Sequence, residues 1–124
     1  VIPLMRKQGA GCIVNVSSGA TLATYPSVAA YTSSKSALNM ISKVARLELA
    51  DAGITVSLIH PFMTATEFYG SVKSGLSTAQ EQEVGATSIA HPPSLVAQMI
   101  INLIRTGDEE TDLVPREYGG SFEG

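Results

Sequence analysis

Charge is scarce in this chain: only 15% of its 124 residues are Asp, Glu, Lys or Arg. The 8 basic residues are outnumbered by 11 acidic ones, leaving a formal net charge of −3. No basic stripe exists to track a phosphate backbone or an anionic bilayer, so neither nucleic acid nor a charged membrane surface is expected as a partner. Tryptophan is missing, and the lone cysteine, Cys12, cannot build an internal disulfide framework. Such cysteine usage suits a reducing compartment, and a cytoplasmic location is expected. Long hydrophobic runs are missing too. The longest are strand-sized, well short of the roughly 20 residues of a membrane span, and no signal-peptide pattern opens the chain. What remains is a 44% hydrophobic sequence, enough to form one globular domain around a real core.

The elements alternate in type. Residues 1–9 read as the end of a helix, with Arg6 and Lys7 suited to the negative end of its dipole and Gly9 and Gly11 as its stop. "CIVNVS" (12–17) is a short apolar run with β-branched residues, a buried strand. Residues 18–28, rich in small and turn-forming side chains, are a loop. From Tyr31 to about Ala50 the spacing predicts a helix: Leu38, Ile41, Ala45 and Leu49 form one stripe, widened by Val44 and Leu47, and Gly53 ends it. "ITVSLIH" (54–60) is a second strand, stopped by Pro61. Residues 61–90 lack periodicity and suggest a mobile loop or lid. "PPSLVAQMIINLIRTG" (92–107) is a proline-started helix closed by Gly107. "TDLVP" (111–115) is a last short strand, "DEETD" (108–112) a solvated turn, and the glycine-rich tail is expected to fray.

This rhythm predicts an α/β fold with a parallel sheet and crossover helices. The two clear strands show little alternation, as strands covered on both faces do. Ligands of such sheets sit beyond the carboxyl ends of the strands. That edge gathers Ser17 and Ser18 after the first strand, Pro61 to Thr66 after the second, and Tyr31 at the start of the intervening helix.

Tyr31 and Lys35, four residues apart, share one helix face. A phenol is a poor proton donor or base at neutral pH, but a neighbouring ammonium and a helix N-terminus both favour the phenolate. A hydroxyl from Ser18 would hold a substrate oxygen against the phenol while negative charge develops on it. The device suits proton transfer to or from a carbonyl or alcohol oxygen, with the electron pair passing to a hydride carrier.

"IVNVSS" followed by Tyr-x-x-x-Lys strongly resembles the short-chain dehydrogenase/reductase family. Its active-site serine precedes the tyrosine by about thirteen residues, the interval from Ser18 to Tyr31, which places the serine role on Ser18 and not Ser17. The resemblance implies Tyr31 as general acid/base, Lys35 as both its partner and a ligand of the nicotinamide ribose, and Ser18 as the group orienting the substrate oxygen. It implies NAD or NADP as cofactor, and an alcohol or ketone as the small-molecule substrate. The family's Pro-Gly-x-Val-x-Thr segment, which holds the nicotinamide carboxamide, reads Pro61-Phe62-Met63-Thr64-Ala65-Thr66 here. Pro61 and Thr66 match, Thr64 stands for the valine and Phe62 for the glycine. A phenyl ring at that point is expected to crowd the nicotinamide or reshape the pocket.

The resemblance covers nearly the whole chain and corresponds to the C-terminal half of a Rossmann-type doubly wound sheet, so residues 1–124 are expected to form one partial domain, with 67–90 as a substrate lid. The family's Thr-Gly-x-x-x-Gly-x-Gly turn and Asn-Asn-Ala-Gly stretch are not found among these residues. Gly9, Gly11 and Gly19 make no phosphate cradle, because the strand lies between them rather than ahead of them. In the family the helix carrying the tyrosine pairs with a second subunit, which implies a homo-oligomer here.

Each signal also has a blander reading. A bare Tyr-x-x-x-Lys more commonly marks a packed tyrosine and a solvated lysine; the serine at the right interval and the Pro-to-Thr segment reverse those odds. Phe62, Met63 and Phe68 are equally well read as core or interface residues. His60 reads as a satisfied strand-end side chain and His91 as a helix entry, and their separation gives no metal pattern. A hydrolase nucleophile elbow fails because Asn15 occupies the first glycine position, and Thr32 stands where a Ser-x-x-Lys site needs serine. The remaining rival from another class is a non-catalytic fragment acting as an association module, through the stripe of Leu38, Ile41, Ala45 and Leu49.

Overall fold

The computed structural model describes residues 1–66 and 90–123; the expected lid falls almost wholly in 67–89, outside the described residues. Among the described residues six main elements follow in order: α1 (Ile2–Gln8), β1 (Gly11–Val16), α2 (Ala29–Leu49), β2 (Ile54–His60), α3 (Pro93–Thr106) and β3 (Glu110–Asp112). Short 3-10 turns occupy Gly19–Thr21, Ala50–Ala52 and Arg116–Tyr118. The strands form one parallel sheet in the order β1-β2-β3. The fold is α/β and matches part of a Rossmann-type sheet, as the alternating sequence pattern predicted.

β2 is the centre of the core. It pairs with β1 from Gly11↔Ile54 to Val16↔Ile59 and with β3 from Leu58↔Glu110 to His60↔Asp112. Its Ile54, Val56, Leu58 and Ile59 are buried, and so is Ser57. Burial of successive residues means cover on both faces. Leu49 of α2 packs with Ile54 and Val56, joined by Ala45, Ile13 and Met5. On the other face, Thr55 points toward Gly107 at the end of α3. Each buried aliphatic side chain contributes about 1.5–3 kcal/mol on leaving water. No helix among the described residues is long and apolar enough to cross a membrane.

Three expectations need correction. The stripe assigned to α2 does not exist as one surface. Ala45 and Leu49 face the sheet, whereas Ile41 is 65% exposed beside Met40, Val44 and Leu47. The inward face is instead largely polar, because it has polar partners below it: Asn15 Nδ2 donates to Ser42 Oγ at 2.8 Å, and Arg46 donates to the carbonyls of Val56 and Gly107. Next, the acidic run at 108–112 is not a free turn. Glu110–Asp112 is β3, and Lys43 on α2 pairs with Glu110 at 3.2 Å.

Last, the tail does not fray. Pro115 and Phe122 form a bridge, and the Asp112 carboxylate accepts from the Val114 and Ser121 backbone N–H groups and from the Ser121 hydroxyl. Burial works to raise the Asp112 pKa, but these bonds outweigh it and hold the carboxyl below its ordinary 3.8. Glycine at 120 permits the return, since a Cβ there would strike the Val114 carbonyl.

Candidate active site

The carboxyl ends of β1 and β2 open into a shared edge. Ser17 N donates to Ile59 O at 2.8 Å, continuing the sheet by one residue, and Gly19 N donates to Pro61 O at 2.8 Å. The segment after β1 is therefore fastened to the segment after β2. The fit at Gly19 is close, because a Cβ would strike Val114 and lie 3.1 Å from Pro61 O.

The two serines have different lives there. Ser17 is buried, and its hydroxyl donates to Asn39 Oδ1 on α2. Ser18 is half-buried and opens the 3-10 turn, its Oγ accepting from Ala20 N at 3.2 Å. The Ser18 hydroxyl proton has no acceptor among the described residues, so it can be offered to a ligand oxygen.

Tyr31 lies in the first turn of α2, with 39% of its surface exposed. One turn later, the Lys35 ammonium donates to Val16 O, the last carbonyl of β1, at 3.0 Å and stands 6.0 Å from the centre of the Tyr31 ring. One carbonyl uses one of its three N–H donors. The sheet edge thus fixes the cation beside the phenol.

Beneath these groups runs a polar chain that sequence reasoning missed. Asn39 Nδ2 donates to Thr21 Oγ1 at 3.1 Å, and Thr21 Oγ1 donates to Ser18 O at 2.8 Å. Thr21 Oγ1 also lies 3.3 Å from His60 Nδ1, and His60 Nε2 lies 3.2 Å from Glu110 Oε2. Burial acts to raise the Glu110 pKa, but hydrogen bonds from Lys43 and His60 prevail and keep it below 4.5. His60 is the satisfied strand-end side chain expected. Lys35, Asn39, Ser42 and Arg46 recur at helical spacing, but such a polar stripe reads equally well as a solvated helix face.

The segment from Pro61 to Thr66 runs along the same edge. Pro61, Phe62, Met63 and Thr64 are half-buried, and Thr66 is exposed. Thr64 Oγ1 donates to Phe62 O at 3.0 Å, and Thr64 forms a bridge with His91. The Phe62 ring packs against Tyr118 at 5.1 Å and His91 at 6.3 Å. Phe62, which stands at the family's glycine position, is thus engaged by the folded tail. Fold and edge together define a short-chain dehydrogenase-type half-sheet.

Comparison with known proteins agrees. A family model described as short chain dehydrogenase matches residues 1–77, and the chain belongs to that family. It is 36% identical over 106 residues to cyclopentanol dehydrogenase of Comamonas sp., an alignment covering 84% of this chain and 42% of that protein. The chain thus spans about two fifths of the length of that relative. Among solved structures, a short-chain dehydrogenase from Sphingobium yanoikuyae in complex with NADPH shares the fold, with a TM-score of 0.73 at 22% identity over 90% of this chain and 41% of that one. Actinorhodin polyketide ketoreductase with NADPH gives a TM-score of 0.67 at 27% identity, over 88% of this chain and 48% of that one.

Proposed function

We propose that the protein is an NAD(P)-dependent oxidoreductase interconverting a secondary alcohol and a ketone. The observation that carries this reading is the Lys35 ammonium, tied to Val16 O at 3.0 Å and set beside the Tyr31 ring. The donor set fits the nicotinamide end of such a cofactor. Lys35 keeps N–H donors for ribose hydroxyls, and the Pro61–Thr66 backbone lies on the same edge, fastened there through Gly19. The family and the NADPH complexes among similar structures support the same assignment.

In the oxidation direction, the Ser18 hydroxyl donates to the substrate oxygen and orients it. Tyr31 takes the alcohol proton as the general base, with the Lys35 ammonium beside it. A nicotinamide held by Lys35 and the Pro61–Thr66 backbone would supply the hydride-transfer chemistry at the carbinol carbon. In reduction, Tyr31 returns the proton to the oxygen. Pro61, Phe62, Met63, Thr64 and Thr66 are assigned to the nicotinamide through their backbone, together with Tyr31 and Lys35 at its ribose.

A second, compatible reading is association with another copy through α2. Met40, Ile41, Val44 and Leu47 are exposed together on that helix, more apolar surface than a solvated helix face needs. Titration with NAD(H) and NADP(H), alongside turnover of secondary alcohols by the wild type and Tyr31→Phe, tests the enzyme. Saturable binding with turnover lost by about 10²-fold or more in the variant supports it. Association without binding or turnover leaves only the module.

A further inference from the structure

His91 joins three segments that are distant in sequence. Its backbone brackets Thr64: His91 N donates to Met63 O at 2.8 Å, and Ala65 N donates to His91 O at 3.0 Å. Its imidazole reaches the opposite way, with Nε2 2.9 Å from Leu113 O. A carbonyl can only accept, so Nε2 carries the proton in this bond. Leu113 is fully buried, and its own N–H donates to His60 O at 3.0 Å, which makes it a fixed point at the end of the sheet.

The imidazole has aromatic neighbours as well. Phe122 meets the imidazole edge-on at 5.0 Å and Phe62 at 6.3 Å, and Phe62 in turn packs on Tyr118. Within the segment, Thr64 Oγ1 donates to Phe62 O at 3.0 Å. Its start is held by Gly19 and its middle by His91.

We propose that His91 is a positioning residue that sets the Pro61–Thr66 segment at the substrate edge by clamping it to the exit of β3 and to the returning tail. The proposal rests on the oxidoreductase reading for what the segment binds. The clamp itself stands on the hydrogen bonds and ring contacts just given. Such a residue touches neither substrate nor cofactor, and acts by limiting where the segment can lie.

Two replacements separate its components. His91→Gln keeps an N–H donor of similar reach and loses the ring. His91→Phe keeps a ring and loses the donor. In His91→Phe, hydrogen exchange of the Ala65 amide is expected to accelerate about tenfold, the loss of one buried bond, while the Val56 and Ile59 amides in β2 hold their rates. The NAD(P)H dissociation constant and cofactor KM are expected to rise by about the same factor, with kcat changed much less. His91→Gln is expected to recover a large part of both effects.

Unchanged exchange at Ala65 in His91→Phe overturns the clamp. Equal acceleration across β2 overturns it also, since His91 would then be a general stability residue. If the wild type binds no nicotinamide cofactor, the oxidoreductase reading fails by itself, and the exchange rates still decide whether His91 holds the segment.

Discussion

The Lys35 ammonium is bound to the carbonyl of Val16, at 3.0 Å, at the point where β1 ends. A four-carbon side chain that could sample many rotamers is thereby fixed by a backbone atom of the sheet. Tyr31, one turn earlier on the same helix, receives a cation at 6.0 Å from its ring centre. Replacing Lys35 by Met is expected to lower turnover by about 10²-fold or more. The lost bond runs to a main-chain carbonyl at a part-exposed site, so unfolding free energy should fall by only about 1 kcal/mol. Steady-state kinetics and urea unfolding of the same sample check both.

Ser17 and Ser18 predict opposite phenotypes. Ser17→Ala leaves Asn39 Oδ1 without its donor at a buried site, which costs about 1–3 kcal/mol. Activity per folded molecule should survive. Ser18→Ala removes the acceptor for Ala20 N, a cap worth about 1 kcal/mol, but should lose most of its turnover. Unfolding midpoints together with kcat/KM distinguish the two.

Asp112 makes the tail acid-labile. Its folded-state pKa is lowered, so the stability it contributes is complete above the ordinary value of 3.8 and disappears as pH falls through the folded value. Glu110 acts in the same sense, weakened by its exposure to solvent. Asp112→Asn is expected to be less stable than wild type at neutral pH and to approach it as the acid limit is reached. Melting temperatures between neutral pH and pH values below 3.8 measure this, and parallel curves would contradict it.

Charge placed on the exposed face of α2 should prevent pairing. Ile41→Glu with Leu47→Glu alters side chains that are 65% and 80% exposed, so each protomer should keep its melting temperature to within the usual effect of surface changes, about 0.5 kcal/mol each. Sedimentation velocity should show a shift to the monomer.

Much of the fold was legible because burial on both faces leaves a simple record. β2 is buried at nearly every position, and Gly53 and Gly107 stand where the helical segments end, both with left-handed φ. Tyr31, Lys35 and Ser18 could be singled out because their spacing resembles the family motif; of these, Lys35 is tied to the last carbonyl of β1 and stands beside the Tyr31 ring. What could not be read were contacts made by side chains that serve local and distant partners equally well. Asn39 and Ser42 look like a solvated helix face until Ser17 and Asn15 are found below them. Phe62 looks like an intruder on a glycine position until Tyr118 arrives from a tail with no periodicity to announce it. Asp112 and Ser121 are nine residues apart, and nothing in their local sequence says that the chain turns back between them.

The most direct measurement is a crystal structure of the protein with NAD(P)+ and a secondary alcohol inhibitor. The account predicts the alcohol oxygen within hydrogen-bond reach, about 2.6–3.2 Å, of both the Ser18 hydroxyl and the Tyr31 phenol, with the Lys35 ammonium at the nicotinamide ribose. An alcohol bound elsewhere, or a phenol turned away from it while Ser18 stays on the far side, would contradict it.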